Sequence, residues 1–171
     1  MVAPRLIKTP RDAEFLARDF LEEDLGFEDV VVMPTGPDGG VDVRGPAVVA
    51  QVKFEGIKTD SPRLQALTGI AAVEGKQAVF FSLGGYTKSA IVWAERAGMA
   101  LFEFDYSGDP VPRSSVAEQL IEAQKLARIT LQRAPLPRER KTMSPLAQRM
   151  QAHLKGKRGT SQRGSGVRRD S

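Results

Sequence analysis

The chain has 171 residues, enough for one domain with a substantial core plus extensions. It has no cysteine and one histidine, His153, which excludes disulfides, thiolate zinc sites, cysteine nucleophiles and multi-histidine metal centres. Its net charge of +4 is unevenly divided: 11 Lys+Arg face 17 Asp+Glu through Asp109, and 14 face 4 from Pro110 onward, so a basic arm follows an acidic body. Such an arm suits electrostatic contact with nucleic acid, or serves as a solubilising tail. No run approaches a membrane span and no signal-type apolar segment opens the chain, so a soluble cytoplasmic protein is expected.

Thr9-Pro10 with Asp12 reads as a helix start, and Ala13, Leu16, Ala17, Phe20 and Leu21 recur at helical spacing until Gly26. Residues 30–33 form a first strand, stopped by Pro34 and the loop TGPDGG. VDV and AVVAQVK follow as two strands joined by a turn at Arg44-Gly45-Pro46-Ala47. Thr59-Asp60-Ser61-Pro62 opens a second helix with Leu64, Leu67, Ile70, Ala71 and Val73 on its inner side. QAVFFSL, residues 77–83, is nearly all apolar and reads as a strand buried on both faces. Gly84-Gly85-Tyr86-Thr87 leads into a third helix, KSAIVWAERA, ended by Gly98; residues 100–104 are the last strand. Trp93 and the phenylalanines are assigned to the core.

The order α-β-β-β-α-β-α-β implies an α/β fold, a mixed central sheet with helices on both faces. Beyond it, Ser115 and Glu118 form a capping box for a helix to about Arg133. Its Val116, Leu120, Ile121, Ala127 and Leu131 can lie against the domain or against a second subunit. A Pro-rich linker, a short helix SPLAQRMQAHLK and a disordered basic tail from Gly156 complete the chain. The expected division is 1–110, 111–134 and 135–171.

The chemistry concentrates in TGPDGGVDVRGPAVVAQVKFE. Strand alternation puts Gln51 and Lys53 on one face, with Val48, Ala50 and Val52 on the other, and turns Asp42 away from Val41 and Val43. A hairpin that brings Asp42, Gln51 and Lys53 together makes a metal and phosphate site. Asp42, the Gln51 side-chain oxygen and the Val52 main-chain carbonyl offer hard oxygens, and Lys53 a cation to orient water. Asp38 is an alternative acid in a turn-rich loop. By spacing alone D-x(8)-Q-x-K is permissive and also fits the polar side of an ordinary strand. A second candidate is Gly85, Tyr86, Thr87 and Lys88, where a Gly-rich turn meets a helix N-terminus and can hold a DNA phosphate, or simply cap the helix.

GGVDV followed by AQVK resembles the signature of the Mrr-like branch of the PD-(D/E)xK nucleases, in which glutamine commonly replaces the glutamate of E-x-K. AEFLARDFLEEDLGF is similar to that family's first helix, and FFSLGGYTKSAIVWAERAGMALFEFD to its later strand-helix-strand unit, so the likeness covers residues 9–105. The resemblance implies a restriction-endonuclease-like fold and a magnesium-dependent DNA endonuclease of restriction type, acting on plain or modified DNA, with manganese able to substitute. It implies Asp42 as metal-binding acid, Gln51 at the E position, Lys53 as catalytic lysine and Glu14 as an acid reaching the metal. A homodimer is expected for a double-strand cutter. The rival readings are a structure-specific nuclease such as a junction resolvase, and an inactive nuclease-fold DNA-binding or structural protein.

Overall fold

The computed structural model describes residues 6–34, 36, 40–133 and 149–150. The chain divides into two units, Met1–Arg133 and Ala134–Ser171. Asp38, the Pro-rich linker and the basic tail lie outside the described residues, as does the short helix SPLAQRMQAHLK except for Arg149 and Met150, which are helical.

The first helix, α1 (Pro10–Glu23), starts from a reciprocal cap. Thr9 Oγ1 accepts the Asp12 N–H at 3.1 Å, and the Asp12 carboxylate accepts the Thr9 N–H at 3.0 Å. Its five expected apolar positions are all buried. The strands β1 (Val31–Val32), β2 (Val43–Arg44) and β3 (Val48–Lys53) form a meander, β1 antiparallel to β2 and β2 antiparallel to β3. The helix α2 (Ser61–Glu74) then crosses to β4 (Gln77–Ser82), and α3 (Lys88–Ala97) to β5 (Ala100–Glu103), which makes β3, β4 and β5 parallel. Two further elements complete the unit, β6 (Val111–Pro112), antiparallel to β5, and α4 (Ser115–Arg133). The six strands lie in the order β1-β2-β3-β4-β5-β6.

Each face of the sheet has its own core. On one, Val48, Ala50, Val52, Phe81 and Phe102 pack with the inner side of α1 and with Ala117 of α4. On the other, Val49, Phe80 and Leu101 pack with Leu64 and Leu67 of α2 and Ala90 of α3. The second face also holds the starts of α2 and α3 together. The Thr59 N–H donates to the Gly85 carbonyl at 2.9 Å, the Thr87 N–H to the Thr59 carbonyl at 3.0 Å, and the buried Thr59 and Ser82 hydroxyls lie 3.0 Å apart. Both helices therefore begin at the C-terminal edge of the parallel strands.

Several expectations change. β6 has only two residues, and Pro112 supplies no N–H, so an edge strand this short leaves no alternation to read. Helix α4 is capped by Ser114: its Oγ accepts the Ala117 N–H at 3.3 Å, while the Ser115 hydroxyl and N–H both turn to the Glu95 carboxylate of α3. The Ser115–Glu118 box is therefore not formed. Val73 is 90% exposed rather than internal, and Trp93 is half-buried at the margin of its core. In α4, Val116, Leu120 and Ile121 pack against the domain, whereas Leu126, Ile129 and Leu131 are exposed.

Candidate active site

The site lies where β2 parts from β3. Along their ladder the Gly45 N–H donates to the Val48 carbonyl at 2.9 Å and the Asp42 N–H to the Ala50 carbonyl at 3.0 Å. The next inward-facing N–H of β3, that of Val52, finds no further strand; it donates to Asp42 Oδ2 at 2.7 Å. The carboxylate thus takes the place of a ladder carbonyl, in the plane of the sheet. Val41 and Val43 pack in opposite cores. Asp42 therefore sits at a change of backbone direction, not in regular alternation, and approaches along the edge of β3. Along a strand, the N–H and C=O of one residue point to the same side, so the Val52 carbonyl also faces Asp42.

Gln51 and Lys53 share the other face of β3, with register partners Phe80 and Ser82 of β4. Gln51 is 8% exposed, and the loop before β2 closes over it at Gly40. Gly40 has φ +82, a turn conformation that favours glycine, and a Cβ there would stand 2.7 Å from the Gln51 amide nitrogen, so the end of that side chain would have to shift. Lys53 is half-buried and forms no ion pair among the described residues. Its charge acts on Asp42 on one side and on Glu55 on the other. Glu55, the next residue in the 51–53–55 alternation, is held by Arg63 of α2 at 2.8 Å, and that contact first, then Lys53, keeps its carboxyl below the usual range.

Glu14 stands on α1 close enough to Asp42 for the two carboxylates to repel. It is not free: Arg11 Nη1 donates to Glu14 Oε2 at 2.6 Å and to the Met33 carbonyl at 2.8 Å. The Met33 N–H donates to the Asp42 carbonyl at 2.8 Å, so one chain of contacts runs from Glu14 to Asp42. The i, i+3 spacing of Arg11 and Glu14 makes this pair legible in the sequence.

Burial pushes the Asp42 carboxyl above its ordinary range; the Val52 N–H opposes the rise, Glu14 adds to it, and Lys53 opposes it. A half-buried carboxylate beside a second one is a poor resting place for negative charge and a good one for a divalent cation. Among the described residues no three His, Cys, Asp or Glu side chains gather as a metal group. A cation here would therefore rest on Asp42, on neutral oxygens of Val52 and Gln51, and on Glu14 once Arg11 releases it. That hard-oxygen set with few charges fits magnesium or manganese, with water filling the other positions.

The second candidate is mostly internal. Tyr86 is 6% exposed, and its hydroxyl lies 2.8 Å from the Phe80 and Phe102 carbonyls, so the ring braces β4 against β5 and presents nothing to DNA. Gly85 is buried, with its carbonyl engaged by Thr59. The Thr87 N–H is engaged by Thr59 as well, and its Oγ1 caps α3 by accepting the Ala90 N–H at 3.2 Å. Only Lys88 is exposed. The turn joins strands and helices, and its Thr87 N–H and Tyr86 hydroxyl are already engaged.

The Mrr catalytic-domain family model, described as restriction endonuclease, matches residues 8–106. No curated protein and no solved structure gives a match.

Proposed function

Since the chain belongs to the Mrr-type restriction endonuclease family over residues 8–106, we propose that it hydrolyses DNA phosphodiester bonds with a magnesium ion held at Asp42. The observation that carries this reading is the Asp42 carboxylate bonded to the Val52 N–H at 2.7 Å, with Lys53, which forms no ion pair among the described residues, one residue further along β3. Asp42 and the Val52 carbonyl would hold the cation, with Gln51 as a neutral donor and Glu14 as the second acid. When bound, the cation polarises the scissile phosphate and makes a coordinated water more acidic. Lys53 orients the attacking water and offsets charge on the phosphate oxygens. Water oxygen bonds to phosphorus and gives up a proton to solvent, the bond to the leaving sugar oxygen breaks, and that oxygen takes up a proton from solvent. Gln51 brings no charge, so the site favours one cation over a tightly held pair.

The test incubates full-length protein with plasmid, methylated plasmid and a four-way junction, in magnesium or EDTA. Wild type cuts at least one substrate with magnesium only, whereas folded Asp42→Ala and Lys53→Ala variants cut none. Cutting by the variants at the wild-type rate overturns the assigned site. Failure to cut all three substrates favours a nuclease fold kept for binding.

A further inference from the structure

Helices α2 and α3 lie side by side on the face of the sheet that carries Gln51 and Lys53, with a groove of about 440 Å³ between them. Ser61 and Gln65 of α2 line it on one side and Lys88, Ser89, Val92, Trp93 and Arg96 of α3 on the other. Lys88, Val92 and Arg96 recur every four residues and form one stripe along α3, cation, apolar, cation. The two cations stand about 12 Å apart along the axis, at 1.5 Å per residue.

The charge of this groove runs against that of its surroundings. The body through Asp109 carries 17 acids against 11 bases, yet among the described residues no acid lines the groove. Among the described residues seven basic side chains of the first unit are tied in ion pairs: Arg11, Arg18, Arg44, Arg63, Lys76, Arg113 and Lys125. Lys88 and Arg96 form none among the described residues. The acid adjacent to Arg96 in sequence, Glu95, is drawn to the other side of α3 by the Ser115 N–H at 2.7 Å. Val92 is 54% exposed between the two cations.

We propose that this groove seats the sugar–phosphate backbone of one DNA strand flanking the cleavage site. Lys88 and Arg96 meet successive stretches of phosphate, Val92 and the edge of Trp93 pack on the apolar sugar between them, and Ser61, Ser89 and Gln65 supply neutral donors. The groove opens at the catalytic edge, because α2 and α3 both start there through the Thr59–Tyr86 bridge, beside Ser82, the register partner of Lys53. A strand leaving Lys53 can thus continue over the N-terminal ends of both helices. The inference rests on the DNA-cleaving reading for its substrate, but its test does not require cleavage.

The test measures binding of full-length protein to a labelled duplex in EDTA across a salt series. A Lys88→Ala/Arg96→Ala double variant, with its fold checked by circular dichroism, should bind about tenfold more weakly. It should also flatten the slope of log affinity against log salt by about two, near one per lost phosphate contact. Val92→Asp, which places an acid in the middle of the stripe, should weaken binding at least as much. Lys125→Ala on α4 is the control and should leave affinity and slope unchanged. Wild-type binding by the double variant overturns the proposal, as does an equal loss per charge from Lys125→Ala, or displacement of the duplex from wild type alone by an acidic peptide. Weakened binding by the double variant, with wild type cutting nothing in magnesium, leaves the groove standing and the nuclease reading fallen. Cutting by wild type with unweakened binding by the double variant gives the reverse.

Discussion

Replacing Asp42 by asparagine or by alanine separates the two tasks of this side chain. Its Oδ2 accepts the Val52 N–H, and its charge sits in a half-buried place beside Glu14. Asparagine keeps an oxygen for that N–H and removes the charge; alanine removes both. The folded-state carboxyl is raised above its ordinary value, so ionising it at neutral pH costs stability. That cost is absent at pH below the unfolded carboxyl range, appears as pH rises through it, and is complete above the raised folded value. Without magnesium at pH 7.5 (roughly a physiological pH), Asp42→Asn should therefore stabilise the protein by about 1 kcal/mol, the usual gain from relieving a strained functional group. Asp42→Ala leaves the Val52 N–H without its acceptor and should cost about 1–3 kcal/mol, toward the lower figure because water reaches this edge. For a folded unit of this size each kcal/mol moves the melting midpoint by about 3–5 °C. Magnesium should reorder the series. Wild type gains about 1.4 kcal/mol for each tenfold excess of free cation over its dissociation constant, and neither variant follows. The assay is thermal melting in EDTA and in graded magnesium, repeated at pH 4 (about the unperturbed carboxyl value), where the asparagine advantage should shrink. If asparagine destabilises as much as alanine, or gains as much from magnesium as wild type, the electrostatic reading of Asp42 is wrong.

Three further outcomes follow from other contacts. Arg11→Ala frees Glu14 and removes a positive charge from the site, so calorimetric magnesium affinity should rise about threefold to tenfold, equivalent to about 1 kcal/mol for a partly exposed pair; weaker binding would mean that Arg11 positions Glu14 rather than occupying it. Tyr86→Phe removes the hydroxyl shared between the Phe80 and Phe102 carbonyls and should cost about 1 kcal/mol in denaturant melts, leaving DNA affinity unchanged. A fall in affinity without loss of stability would return Tyr86 to the DNA surface. The Ser115 hydroxyl first, then its N–H, holds the Glu95 carboxyl below the usual range, so the tether from α3 to α4 is present above the unfolded carboxyl pKa and is lost as pH falls through the folded value. Glu95→Gln should thus lower stability at pH 7 (roughly neutral) by no more than about 0.5–1 kcal/mol, given its exposure, with the difference vanishing in acid.

Local signals in the chain were enough to place most elements. The cap at Thr9, the five inner positions of α1, the apolar run of β4 and the Thr87–Gly98 limits of α3 all follow from neighbours within a few residues, because capping and side-chain period are properties of short segments. The same holds for Gln51 and Lys53, which regular alternation along β3 puts on one face. Two elements misled for a physical reason. Ser114 and Ser115 are both good caps, and only the Glu95 carboxylate, twenty residues away, decides between them by taking Ser115. Tyr86 looks like a surface residue beside glycines until the Phe80 and Phe102 carbonyls are brought within reach of its hydroxyl.

The sequence by itself determined the order of helices and strands apart from the two-residue β6, the family likeness, and the residue types at the candidate site: an acid, an amide and an amine. Tertiary structure alone decided how they meet. Asp42 joins β3 because β2 ends and leaves the Val52 N–H without a strand partner. Glu14 comes near Asp42 because α1 packs across β3, and it arrives already bound to Arg11. The candidate site thus changes from three side chains brought onto one sheet face by a hairpin to a carboxylate set in the sheet's own hydrogen-bonding plane. Its charge is left uncompensated by Gln51, and its second acid is held by a cation the protein supplies itself. Such contacts span β-hairpins and packed layers, where distance along the chain carries no information about distance in space.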